Sequence, residues 1–216
     1  MQIKETLRNR RGLVASLAAV VALGGAAAGT LGGFSATIVN PTNTFASGTL
    51  QLEESSASTS CYSTGTGHGG SVDAANSATC STINKLGDAL LQEPGGTDVT
   101  TPVTLTNVGN VTSSELSLTP NATCIVVASS DNGGYTGADT AGYCAEVDVT
   151  ITNTDTSTVV FTGTLATLAG HAAFNLGSLA AGAADDFSFA AHLDSGATNA
   201  DQGLVASLPL TWNLAQ

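Results

Sequence analysis

Between Leu204 and Leu214 the chain alternates strictly. Leu204, Ala206, Leu208, Leu210, Trp212 and Leu214 form one set, and Val205, Ser207, Pro209, Thr211 and Asn213 fall between them. A period of two gathers the first set on one face of a strand, whereas on a helix it would be scattered around the axis. Pro209 cannot donate a ladder hydrogen bond, which predicts an edge strand or a locally one-sided one. The same period recurs upstream. Phe187, Phe189, Ala191 and Leu193 alternate with Ser188, Ala190 and His192, and Val147, Val149 and Ile151 alternate with acids and threonines. Val99, Val103 and Leu105 predict another half-buried face, followed by a turn at Asn107-Val108-Gly109-Asn110 and a strand carrying Leu116 and Leu118. A second turn, Asn153 to Thr156, leads into Val159 and Phe161. Thr44 to Leu52 reads as a strand with a small-residue bend.

Seven or eight short strands separated by turn signals, with no strand–helix alternation, predict an all-β chain. The expected architecture is an antiparallel β-sandwich of jelly-roll or Greek-key type. One stretch departs from the pattern. Residues 53–80 are rich in Ser, Thr and Gly and read as a long surface loop. Ile83, Leu86, Leu90 and Leu91 in residues 81–92 have the spacing of a short amphipathic helix despite Gly87.

The N-terminus is of another kind. Lys4, Arg8, Arg10 and Arg11 precede an uncharged run from Gly12 to about Leu31, the pattern of a secretory signal peptide. A membrane anchor is the alternative, since roughly 20 apolar residues can span a bilayer. The many small residues in the run favour cleavage. Here composition becomes informative. The whole chain of 216 residues has 5 Lys+Arg against 17 Asp+Glu. Removing residues 1–32 takes away four of those cations and one acid, leaving Lys85 alone against 16 acids and a net charge of −15. Such a chain cannot neutralise a run of phosphates, so nucleic acid is excluded as a partner. Attraction to anionic membranes is equally disfavoured, which leaves an uncleaved signal segment as the only membrane contact.

The four cysteines, Cys61, Cys80, Cys124 and Cys144, all lie in the exported part, and an even count there suggests disulfides. Three pairings are possible. Cys61–Cys80 with Cys124–Cys144 is favoured, because each bond would pin one long Gly- and Ser-rich loop. Closing a loop of about 20 residues contributes about 3 kcal/mol in the chain-entropy account. Zinc is the rival use of these thiols, but no Cys-x-x-Cys pair is present. His68, His171 and His192 are the only histidines, and none belongs to a His-Glu-x-x-His motif. They are candidate metal ligands only if the chain is a protease. Asp131 to Asp139 superficially resembles a calcium loop but lacks its acidic ladder and reads as a solvated turn. No Gly-x-Ser-x-Gly elbow or phosphate-cradling Gly-rich loop occurs, and no cofactor is implied.

Two segments carry a family resemblance. Thr30-Leu31-Gly32-Gly33-Phe34-Ser35 followed by Thr44-Phe45-Ala46-Ser47-Gly48-Thr49-Leu50-Gln51-Leu52 resembles the start of TasA/camelysin-family proteins. Asn199 to Gln216 resembles their end, Val103 to Asn110 their strand-to-turn segment, and Leu179-Ala180-Ala181-Gly182 their approach to a late strand, with Ala where Pro is usual. The resemblance implies a SipW-dependent type of signal peptide at 1–32, a dedicated signal peptidase cutting near Gly32, and secretion to the cell surface or beyond. It then implies a segment 33–43 and a single sandwich domain at 44–216, whose Cys-bearing insertions at about 53–96 and 121–144 depart from the Cys-poor family pattern. TasA-like members are matrix subunits that self-associate into filaments by donating the mature N-terminal segment as a strand. Phe34, Thr37 and Val39 are the expected contacts of such a donor; the alternative is that the segment folds back onto its own domain. Camelysin-like members are labelled metallo-endopeptidases, which leaves enzyme activity open. A monomeric cell-surface binding module is a third reading.

Overall fold

The computed structural model describes residues 44–65, 67, 76–87, 92–130 and 133–216. The chain divides at Phe45, and the fold is that of the unit Ala46–Gln216. The signal segment 1–32 and the segment 33–43 lie outside the described residues.

The protein is all-β and antiparallel. The strands are β1 (Leu52–Ser56), β2 (Thr59–Tyr62), β3 (Val99–Asn107), β4 (Glu115–Pro120), β5 (Ile125–Ala128), β6 (Val147–Asn153), β7 (Thr158–Thr164), β8 (Phe174–Asn175), β9 (Ala184–Leu193), β10 (Leu204–Ser207) and β11 (Leu210–Ala215). A six-stranded sheet has the order β2-β1-β3-β9-β6-β7. Opposite it lie a three-stranded sheet, β11-β4-β8, and a two-stranded ribbon, β10-β5. The two layers meet where their alternating residues point inward. β9 contributes Phe187 and Phe189, β3 Val103 and Leu105, and β6 Val149 and Ile151, all at most 2% exposed. Leu116 and Leu118 of β4 complete the same core. Trp212 of β11 reaches across, its ring centroid 5.3 Å from Phe187 and 6.1 Å from Phe189. One helical turn, α1 (Leu165–Leu168), adds two fully buried leucines. Thr164 caps it: its hydroxyl accepts from the Thr167 amide at 3.2 Å, and the Thr167 hydroxyl accepts from the Thr164 amide at 3.0 Å.

Both expected turns form, and each is held by a buried asparagine. The Asn107 side chain donates to the carbonyls of Val111 and Leu179 and accepts from the Gly109 amide. Gly109 is required there, because a Cβ at this position would sit 2.3 Å from the Thr49 carbonyl oxygen. Asn153 accepts from the amide and hydroxyl of Thr156.

Four expectations are corrected. The loop reading of 53–80 fails at its start, where β1 and β2 form a hairpin in the register Glu53↔Tyr62 to Ser56↔Thr59. Alternation conceals β1 because one of its inward residues is an acid, Glu54, only 8% exposed. The strand expected from Thr44 begins only at Leu52, although the Thr49 and Gln51 carbonyls accept from the amides of Asn110 and Val108. No helix forms at 81–87, where Gly87 takes a left-handed φ of +91°, and residues 88–91 lie outside the described residues. The C-terminal alternation keeps its phase but not its partner. β10 pairs with β5 and β11 with β4, and the change falls at Leu208-Pro209, where proline cannot continue a ladder.

Because Phe189 touches both layers, Phe189→Ala is expected to destabilise the domain by about 3–5 kcal/mol. Urea unfolding followed by the fluorescence of the single Trp212 measures this.

Candidate functional site

Among the described residues the opposed sheets enclose one Lys–carboxylate pair. Lys85 Nζ lies 2.6 Å from Glu54 Oε1, with side-chain exposures of 11% and 10%. The Trp212 indole donates to the same oxygen at 2.9 Å. β1 therefore meets β11 through a carboxylate that serves the only Lys or Arg of residues 33–216 and the only Trp of the chain. Removing one partner of a buried pair leaves an uncompensated charge. The sequence signal for this site was the singularity of Lys85, since a lone cation in so acidic a chain has many acids to choose from and little reason to be buried unless paired.

The cysteines form Cys61–Cys80 and Cys124–Cys144, with no free thiol. The first ties β2 to the segment that carries Lys85. The second ties the start of β5 to a 3-10 turn, Tyr143–Ala145. Both bonds fit an oxidising compartment.

The histidines do not converge on a common site among the described residues. His171 follows α1, stacks on Phe174 with centroids 4.3 Å apart, and donates Nδ1–H to the Ala172 carbonyl at 2.8 Å. His192 lies near the end of β9, its Nδ1 2.6 Å from Asp98 and its Nε2 3.4 Å from Asp148. His68 is outside the described residues, as are Phe34, Thr37 and Val39. No group of three or more His, Cys, Asp or Glu among the described residues is arranged to hold a metal ion. Asp139 serves its own loop, accepting from the Gly142 amide at 2.7 Å.

Acids crowd the start of β9. Asp155 accepts from the Asp186 amide at 2.7 Å, and Asp186 accepts from the Thr104 hydroxyl. Burial, and then the charges of Asp155 and Asp186, push the Asp185 carboxyl above its ordinary range.

A cavity of about 340 Å³ opens between the layers at the other end of β9. Val99, Val147, Leu193, Leu204 and Ala206 form its apolar wall, and Tyr143 and Asp201 contribute its polar side. Sequence reasoning missed it, because its lining comes from the ends of four strands and from loops far apart in the chain.

No model of a known protein family matches this chain, and no curated protein matches its sequence.

Two outcomes are expected. Lys85→Met should cost about 3–5 kcal/mol in urea unfolding, since it strands Glu54 in the core. Asp185 has its proton held more tightly in the fold than in the unfolded chain, so its contribution falls as pH rises through the folded pKa. Asp185→Asn should therefore raise the melting temperature at pH 7, and the gain should vanish once the pH is below the ordinary carboxylate range.

Proposed function

We propose that the chain is a secreted, non-enzymatic structural subunit of the TasA type, assembled into fibres of an extracellular matrix or surface by N-terminal strand donation. The observation that carries this reading is the open edge of β11. β11 pairs with β4 on one side, and among the described residues its other side makes no backbone hydrogen bond. Its inward residues Leu210, Trp212 and Leu214 are only half-buried, while Leu116 and Leu118 beside them on β4 are fully buried. A strand laid along β11 would satisfy its free amides and carbonyls and cover those three side chains. The segment 33–43 has eleven residues, enough to match the six of β11. Donated by a neighbouring copy, it makes a head-to-tail contact, which builds an open filament when the rotation between copies does not close a ring.

Charge supports assembly under particular conditions. Apart from the buried Lys85, residues 33–216 offer no Lys or Arg to a neighbouring acidic surface. Subunits repel one another until salt, divalent cations or low pH screens or neutralises them. The disulfides agree with export.

Protein lacking 33–43 should keep its fold by circular dichroism and form no filaments by electron microscopy. A synthetic peptide of residues 33–43 should then bind it and shift the Trp212 emission to shorter wavelength, as water leaves the β11 edge. Filaments unchanged by the deletion would overturn strand donation.

A further inference from the structure

The interlayer cavity beside β10 has an electrostatic character that the fibre reading does not use. Its apolar wall is supplied by Val99, Val147, Leu193, Leu204 and Ala206. Also in its lining, Asp201 closes a 3-10 turn, Asn199–Asp201, and is 6% exposed. Its Oδ2 accepts from the Thr198 amide at 2.7 Å and the Thr198 hydroxyl at 3.0 Å. Its Oδ1 is buried and, among the described residues, accepts no hydrogen bond. Among the described residues no Lys or Arg lines the cavity, and Lys85 is committed to Glu54. A carboxylate is thus held in a low-dielectric wall with half of its hydrogen-bonding capacity unmet and no cation beside it. Such a group attracts positive charge strongly, because the attraction is poorly screened. Its field reaches the cavity's aromatic residue: burial, and then the charge of Asp201, raise the Tyr143 hydroxyl above its ordinary value.

The ligand must suit three conditions at once. It carries positive charge, it presents apolar surface to valine and leucine side chains, and it does not depend on a hydrogen bond to an oxygen that is covered. A metal ion fails the second condition, and among the described residues no group of three or more His, Cys, Asp or Glu is arranged to hold one. A primary ammonium needs an acceptor for each N–H, and the covered oxygen of Asp201 cannot serve as one. A quaternary ammonium meets all three. Its charge is spread over methyl groups, it has no N–H to satisfy, and an aromatic wall such as Tyr143 adds to its binding. The volume of about 340 Å³ lies within the range of small-molecule pockets, about 300–1,000 Å³.

We propose that this cavity is a binding site for a small organic cation with a quaternary ammonium head group. The ligand lies between the ends of β3, β6 and β9 on one side and β10 on the other, with its charge balanced by Asp201. The site is independent of the β11 edge, so its occupancy and fibre formation are separable.

Calorimetric titration of the purified protein with choline, and with 3,3-dimethylbutanol, tests this at constant ionic strength. The alcohol has the same shape and no charge. Choline should bind at least tenfold more tightly than the alcohol. Asp201→Asn should reduce that ratio to near one and leave the affinity for the alcohol unchanged. Because Asp201 also caps its turn, Ala206→Phe serves as a second variant: it fills the cavity from β10 and should abolish binding of both compounds while the circular dichroism spectrum stays that of the parent. Choline binding no tighter than the alcohol, choline binding unaffected by Ala206→Phe, or no binding of choline at millimolar concentration would each overturn the proposal. Ammonium chloride matching choline would overturn the preference for the methylated head group.

Discussion

The contact of Trp212 with Phe187 and Phe189 joins the two layers, and much else in the molecule depends on it. β9, the longest strand among the described residues, lies between β3 and β6, so its inward phenylalanines set the middle of the large sheet. Trp212 is the point where the opposite, narrower layer meets them. Large aromatic side chains supply more buried area per residue than any others. In a chain with 5% aromatics, few alternatives exist. The same indole then reaches Glu54 on β1, so the ring that packs on β9 also fixes the far side of the sheet.

The Glu54–Lys85 pair follows from that arrangement. Burying a carboxylate is costly unless it is paired and hydrogen-bonded, and here a cation and an indole N–H converge on a single oxygen. The arm bearing Lys85 is drawn onto β1 and is tied nearby by Cys61–Cys80. With its only Lys consumed inside, the domain presents acids and no Lys or Arg to solvent. Solubility and mutual repulsion follow from this, and they frame the assembly proposed above: an interaction between copies has to come from main-chain pairing and apolar burial, not from opposite charges.

How much was legible in the sequence varies element by element, for physical reasons. β6, β9 and β11 were readable because each buries one face only, so a period of two is imposed on their residues. The turns at Asn107 and Asn153 were readable because their side chains build the turn locally. β1 was not, since its inward Glu54 is stabilised by residues 31 and 158 positions away. The helix pattern at 81–92 fails over the described residues 81–87, where Ile83 and Leu86 serve an irregular segment packed on the core. Ile83 is buried there without any helical turn at 81–87. The cavity was invisible for a similar reason. Asp201 looks like any surface acid until Tyr143 and the strand ends are brought around it.

By itself the sequence determined that this is an antiparallel β protein, that its signal-like basic start differs in kind from its acidic body, and that its four cysteines come in an even set suited to export. These properties are local or additive: periodicity, turn chemistry and charge accumulate residue by residue. Only the tertiary structure decided which strands pair, where the C-terminal strand changes partner, which edge is left open, and which acid is left buried without a cation. Those outcomes depend on contacts between residues distant in the chain, whose energies exist only once the two layers have closed on each other.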